Sequence, residues 1–178
     1  MGIIVSSFPG CGKTYLMHTH GDKAKMLNAS NLADKDQDGE YSYDVFADNI
    51  MDAVDDYDIV FIPIDEKLLE VFNDRKIDYD IFYPVKDRRK EFLENMVRKR
   101  APRNDIMTLD RNFDKWVDRI DGIESENCYK HKLEHLGEFI GNDSAIMQYI
   151  SSVEENSKKN RQAQNTENKK SSDENNDE

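Results

Sequence analysis

The chain has 178 residues, of which 37% are hydrophobic and 35% charged, and its formal net charge is −12 at pH 7. An acidic surface repels a nucleic-acid backbone, so a general DNA- or RNA-binding role is disfavoured. The two cysteines cannot form a disulfide framework and no apolar run approaches the ~20 residues of a membrane span, so we expect a cytoplasmic protein without membrane association.

The first predicted strand, residues 3–5, leads into the segment SFPGCGKT at residues 7–14. This order of strand, glycine-rich turn and helix is typical of a phosphate-binding loop, G-x-x-x-x-G-K-[ST], in which Ser7 replaces the first glycine. Gly10 and Gly12 permit positive φ, so that backbone N–H groups can surround a phosphate. The following helix adds the positive end of its dipole at the same point.

The side chains of the loop predict an ATP·Mg site. The Lys13 ammonium would reach the β- and γ-phosphates, and the Thr14 hydroxyl would bind Mg²⁺. We expect the nucleotide to contact Pro9, Gly10, Cys11, Gly12, Lys13, Thr14 and Tyr15.

Hydrophobic periodicity predicts alternating strands and helices along the rest of the chain. The expected strands cover residues 23–28, 58–64, 79–85 and a segment near 128–135, and the expected helices cover residues 43–56, 66–75, 86–100, 110–123 and 139–150. This alternation predicts an α/β fold with a mainly parallel sheet in one domain, residues 1–150. Residues 151–178 contain too few apolar side chains to fold and are predicted to be a disordered polar tail.

Asp65 follows the apolar run that ends at residue 64, and two interpretations of it remain open. It could hold Mg²⁺ through water at the carboxyl end of a strand, or it could cap the next helix. One residue can do both.

Basic residues concentrate between Lys86 and Arg103, a segment that contains eight basic residues and three acidic ones. Many of these charges fit a solvated helix face. Arg98, Arg100 and Arg103 have few acids nearby, and arginine is suited to bidentate phosphate contact. We therefore expect these three to form a phosphate clamp.

Two metal motifs are weak. The acidic segment 34–40 has calcium-loop spacing but carries valine where a bidentate glutamate is required. Cys128, His131 and His135 offer three zinc ligands without a fourth, so a half-buried histidine pair without metal is favoured.

The loop resembles the G-x-P-G-x-G-K-[ST] variant of adenylate kinase-like nucleoside monophosphate kinases. Residues 2–150 are also similar to bacteriophage-encoded P-loop NTPases, through SSFPGCGKTYL at 6–16, YDIVF at 57–61, FYP at 82–84, LDRNFDKW at 109–116 and FIGNDSAIM at 139–147. The resemblance implies a three-layer P-loop NTPase fold with an arginine-bearing lid near residues 86–108. Arg98 and Arg100 would be its catalytic lid arginines and would act together with Lys13. If the chain is phage-encoded, the resemblance implies that the protein lies in the host cytoplasm. The family often has D-x-D after the second strand, where this chain has Asn28, Ala29 and Ser30.

These observations favour ATP-dependent phosphoryl transfer to a (deoxy)nucleoside monophosphate, since an acceptor that is already anionic needs little general-base help. A nucleotide-binding regulator or inhibitor, with weak ATPase activity and a protein partner, is the first alternative. A polynucleotide 5′-hydroxyl kinase is the second, and the negative charge counts against it.

Overall fold

The structure is a computed structural model that describes residues 2–20, 24–27 and 42–140, together with helical positions 148, 151, 152, 155 and 159. The predictions for residues 28–30, for the acidic segment 34–40, and for most of the closing helix and tail lie outside the described residues.

The described strands form one parallel sheet. They are β1 (Ile3–Ser7), β2 (Ala24–Met26), β3 (Ile59–Ile62), β4 (Tyr79–Pro84) and β5 (Cys128–Leu133). Their order across the sheet is β2-β3-β1-β4-β5, and all neighbouring pairs are parallel. The predicted α/β class with a parallel sheet is confirmed, and β1 occupies the middle position.

Helices cover the sheet between these strands. They are α1 (Lys13–His20), α2 (Tyr43–Asp56), α3 (Glu66–Asp74), a 3₁₀ turn (Lys86–Arg88), α4 (Arg89–Arg98) and α5 (Arg103–Asp121). The chain steps from β1 to β2 in one direction across the sheet and returns in the other. Right-handed crossovers therefore place α1 on one face and the later helices on the opposite face, which is consistent with a three-layer α/β fold.

The core forms because the central strands are mostly apolar on both faces, with Ser6, Ser7 and Asp80 as their buried polar residues. Every residue of β1, β3 and β4 is buried. Each helix contributes one apolar stripe, as in α5, whose buried residues are Leu109, Phe113, Val117 and Ile120. None of the described helices combines the length and apolar character needed to cross a bilayer.

The segment predicted as one helix over residues 86–100 differs in the structure. It begins with the 3₁₀ turn, and α4 ends at Arg98 in a Schellman motif. In this motif Arg100 has φ of 55°, and the N–H of Ala101 donates to the carbonyl of Met96 at 3.0 Å. The physical reason is Pro102, which disfavours helical conformation in the residue before it and is the N-cap of the next helix, which begins at Arg103. As a result α5 begins seven residues earlier than the predicted start at residue 110.

Candidate functional site

The glycine-rich loop lies at the carboxyl edge of the sheet. Ser7 is the last residue of β1, and α1 begins at Lys13. Because β1 lies between β3 and β4, the loop opens where the chain reverses direction across the sheet. Open α/β sheets bind ligands at this position.

The backbone of the loop has the conformation that the glycines were predicted to allow. Gly10 has φ of 90° and Gly12 has φ of 104°. The N–H of Cys11 donates to the carbonyl of Phe8 at 3.2 Å and closes a turn. Within the described part of the chain, the N–H groups of Lys13 and Thr14 at the start of α1 donate to no backbone carbonyl, as expected in the first turn of a helix. The loop therefore offers N–H groups at a positive helix end, which suits a phosphate.

Phe8 of the loop packs into a cluster of aromatic side chains. The Phe8 side chain is fully buried, and its ring centroid lies 4.9 Å from Phe113, 6.0 Å from Trp116 and 6.1 Å from Phe92. A Cβ added to Gly10 would lie 3.1 Å from Cδ1 of Phe92. Glycine is thus required at position 10 by both its backbone conformation and its packing against α4.

Lys13 folds back onto its own loop. Its Nζ donates to the carbonyl of Ser7 at 2.9 Å. Burial lowers the pKa of Lys13, while the nearby Cys11 acts in the opposite direction. A ligand phosphate would offer this ammonium a charged acceptor in place of a neutral carbonyl, which strengthens the hydrogen bond.

Cys11 is a structural member of the loop. Burial raises the pKa of its thiol to about 12, so the group stays neutral at physiological pH. The thiol donates to the carbonyl of Phe82 at 3.6 Å. Further along the chain, Thr14 and Tyr15 are exposed, so the Thr14 hydroxyl is accessible to a metal ion.

Asp65 caps α3, as one of its two interpretations predicted. Its Oδ1 accepts from the N–H of Lys67 at 3.1 Å and from that of Leu68 at 3.2 Å, and its Oδ2 accepts from the Tyr43 hydroxyl at 3.4 Å. Burial, and then the carboxylate, raise the pKa of Tyr43. Because β3 pairs with β1, Asp65 also lies at the edge of the sheet where the loop opens.

A cavity of about 560 Å³ opens beside the loop, between α3 and the end of α5. Its apolar lining includes Phe8, Pro9, Pro63, Ile64, Leu69, Trp116, Ile120 and Ile123, and its polar lining includes Ser7, Lys13, Glu66, Glu70, Asn73, Arg119 and Glu124. Lys13 therefore belongs both to the loop and to the cavity. An apolar cleft with a few convergent polar groups is the usual form of a small-molecule site.

Arg119 is a cationic cavity residue that the sequence did not single out. Its Nη1 lies 3.2 Å from Oε2 of Glu66, and both side chains are about half exposed. In sequence, Arg119 is one charge among several on an amphipathic helix, which is typical of a solvated face. Only its position opposite the start of α3 distinguishes it.

The structure does not bring the predicted clamp to this cavity. Arg98, Arg100 and Arg103 are exposed and are absent from its lining. The start of the predicted lid is fixed in the core instead. Arg88 is buried between the rings of Phe92 and Phe139, with its Cζ 5.2 Å and 5.3 Å from their centroids.

The three residues with zinc-ligand spacing, which the sequence did not favour as a metal site, lie on β5 and just after it. Cys128 and His131 are three residues apart on β5, so their side chains point to opposite faces of the sheet. His131 stacks on Phe82 at 4.4 Å and lies 2.6 Å from the Asp80 carboxylate. Across the described residues, no three His, Cys, Asp or Glu side chains converge on a possible metal position.

Comparison with protein-family models finds no match, and comparison with curated proteins finds none. Among solved structures, the chain is similar to an uncharacterized protein from Eubacterium ventriosum ATCC 27560, with 12% sequence identity and a TM-score of 0.45. The alignment covers 85% of this chain and 99% of that chain. A likeness this weak carries no argument, so the function has to be inferred from the site itself.

Proposed function

We propose that this chain is a cytosolic P-loop phosphotransferase, which transfers the γ-phosphoryl group of ATP to a nucleoside monophosphate. The three-layer P-loop NTPase fold with an arginine-bearing lid is part of the proposal. The observation that carries it is the position of Lys13, which lies in the phosphate-binding loop and also lines the adjacent cavity. A donor phosphate on the loop would thus be next to a second ligand in the cavity.

The loop would bind the ATP phosphates. The positive φ values at Gly10 and Gly12, together with the first N–H groups of α1, suit the β- and γ-phosphates. The exposed Thr14 hydroxyl, with Asp65 acting through water, would hold Mg²⁺, which when bound neutralises charge on these phosphates. Asp65 would keep its capping hydrogen bonds in this role.

The cavity would bind the acceptor. An acceptor phosphate oxygen forms a bond to the γ-phosphorus as the bond to the β-phosphate oxygen breaks, and ADP leaves. Lys13 and Arg119 are the cationic groups among the described lining residues. Arg119 can exchange Glu66 for the acceptor phosphate because both partners are half exposed. Such transfer depends on positioning and charge neutralisation more than on a general base.

The regulatory alternative has one observation in its favour. Three glutamates line the cavity beside two cationic residues, and the clamp arginines face solvent elsewhere. An acidic lining opposes a dianionic acceptor. A protein that binds ATP and turns it over slowly, acting through a partner, would have no need for such an acceptor.

The test is ADP production from ATP·Mg across ribo- and deoxynucleoside monophosphates, with a control that lacks acceptor. Stimulation by at least one acceptor supports the kinase. ATP binding with a flat panel rejects it and favours the regulator. Arg119→Ala should raise the KM for the acceptor and leave ATP affinity unchanged. Arg111→Ala is the matched control, because Arg111 is exposed on the same helix and does not line the cavity.

A further inference from the structure

The cavity has a second polar group of residues, beyond the Glu66–Arg119 pair. Glu70 and Asn73 lie on the same face of α3, three residues apart, and Glu124 follows the end of α5. Seven residues of α3 separate Glu66 from Asn73, which corresponds to about 10 Å along the helix. A ligand with its phosphate near Lys13 and Arg119 would place its other end near this second group.

Among these three side chains, Asn73 has a hydrogen-bond partner that fixes the orientation of its amide, and the two glutamates do not. The Oδ1 of Asn73 accepts from the Tyr79 hydroxyl at 3.3 Å, so its amide NH₂ is the group left to bond a ligand. Glu70 and Glu124 form no ion pair or hydrogen bond with the other described residues. Ionised carboxylates only accept hydrogen bonds. The second group therefore offers acceptors from two carboxylates and a donor from one amide.

This pattern discriminates among nucleobases. On its pairing edge guanine presents one acceptor, O6, beside two donors, N1–H and the N2 amino group. Adenine and cytosine place an unprotonated ring nitrogen next to their single amino group, and uracil places its N3–H between two carbonyls. A carboxylate facing those acceptors would be repelled. Sites that read a single base use such edge contacts together with stacking on an aromatic side chain.

The aromatic platform is present in the same cavity. Trp116 is half-buried in its lining, with Leu69, Ile120 and Ile123 among the apolar neighbours. A base held there would have a stacking surface as well as polar groups for its edge.

We infer that the second ligand of this cavity is a guanine nucleotide, whose base edge is bound by Glu70, Asn73 and Glu124 and whose ring lies against Trp116. This inference rests on the proposed function for the position of the phosphate. It goes beyond that function in naming the base.

The test is direct binding, measured without ATP. Trp116 is the only tryptophan in the chain, so its fluorescence reports on this cavity alone. GMP, IMP, AMP, CMP, UMP and dGMP are titrated by fluorescence and by calorimetry. IMP differs from GMP only in lacking the N2 amino group. We expect GMP to quench Trp116 and to bind about tenfold more tightly than IMP, equivalent to about 1.4 kcal/mol. We expect dGMP to bind like GMP.

Glu70→Gln should bring GMP binding close to the IMP value. Asp74→Asn is the matched control, because Asp74 is exposed on the same helix and does not line the cavity. Equal binding of GMP and IMP, a preference that survives both Glu70→Gln and Glu124→Gln, or no quenching by any nucleotide would each overturn the inference. Binding that distinguishes GMP from dGMP but does not distinguish among the bases would also overturn the inference.

The two proposals fail differently. Selective GMP binding without ADP formation in the presence of ATP·Mg keeps the guanine site and rejects the kinase. ADP formation stimulated only by other acceptors keeps the kinase and rejects the guanine site.

Discussion

The backbone N–H of Ile140 donates a 2.9 Å hydrogen bond to the carbonyl of Cys11, in the middle of the glycine-rich loop. The segment after β5 is therefore attached to the loop. Arg88 holds the same segment from within the core, since its Nη1 donates to the carbonyls of Leu133 at 3.3 Å and Glu138 at 2.9 Å. Glu91 completes the arrangement by pairing with Arg88 at 2.8 Å and accepting the N–H of Gly137.

Glu91→Gln should destabilise the protein most at neutral pH. Burial alone would raise the pKa of Glu91, but its hydrogen bonds from Arg88 and from the Gly137 N–H lower it below the ordinary 4.5. A lowered carboxyl pKa gives stability that is present above pH 4.5 and is lost as the pH falls through the lowered pKa. We expect the free energy of unfolding to fall by about 1–3 kcal/mol at pH 7 and by less at an acidic pH below the lowered pKa. Denaturant unfolding at pH 7 and at the acidic pH measures this difference. Glu94→Gln is the control, because its pair with Lys90 is exposed and 3.8 Å long. An equal loss at both pH values would contradict the linkage.

Gly10→Ala should weaken ATP binding through the shape of the loop. Alanine at a φ of 90° is strained by about 1–2 kcal/mol, and its Cβ would also press on Phe92. Gly137→Ala is a matched control, because Gly137 has φ of 79° and a Cβ there would meet nothing within 4 Å. Calorimetric titration of ATP·Mg should show a loss of affinity in the first variant that exceeds the loss in the second. Equal losses would show that the effect of Gly10→Ala is not specific to the shape of the loop.

Lys13→Ala should abolish ATP-dependent turnover and leave the fold intact. Removing one positioned cationic donor typically costs about 10²–10³-fold in rate. Lys67→Ala, an exposed lysine on α3, should change neither property. Turnover assays with thermal unfolding distinguish the two variants, and persistent activity in Lys13→Ala would reject the phosphate-binding role of the loop.

ATP affinity should also fall on alkalinisation earlier than an exposed lysine would predict. Because burial lowers the pKa of Lys13 below 10.5, its ammonium loses the proton at a lower pH than an exposed lysine would. The unfolded chain keeps this proton up to 10.5, so folding stability should rise with pH between the two values. ATP titrations and unfolding measurements on wild type and Lys13→Met, from neutral pH upward, give the pH dependence of ATP affinity and of folding stability. Identical slopes in the two proteins would assign the effect to another group.

Replacing Arg98 and Arg100 tests the lid. If they close over the transferring phosphoryl group, the double alanine variant should impair transfer much more than ATP binding, as steady-state kinetics with ATP titration would show. Arg100→Gly removes the side chain while relieving a φ of 55°, and should stabilise the fold by about 1 kcal/mol. Lys76→Gly, also at φ of 55°, is the control for that relief. Transfer that is unchanged in the Arg98 and Arg100 variants would leave Arg119 as the candidate arginine.

The sequence by itself determined the parallel α/β class and the position of the glycine-rich loop between β1 and α1, and it offered helix capping as one of two roles for Asp65. These features depend on local patterns: an apolar run predicts a buried strand, and glycine, lysine and threonine at fixed spacing predict a loop conformation. The bounds of α2 were predicted correctly at both ends because Ser42 caps the helix and its apolar stripe is regular. The predicted helix end at residue 100 was wrong because the run of charged residues continues to Arg103, whereas α4 ends at Arg98 ahead of Pro102.

Only the tertiary structure decided which charges meet. Arg98 and Arg119 look alike in sequence, since both are arginines on amphipathic helices, yet Arg119 lines the cavity and Arg98 does not. Residues of α3 and α5 line the same cavity beside the loop, and Glu66 meets Arg119 there across 53 residues of chain. Side-chain periodicity says which face of a helix is buried, but pairing between distant elements follows from sheet order and packing, which no local pattern contains.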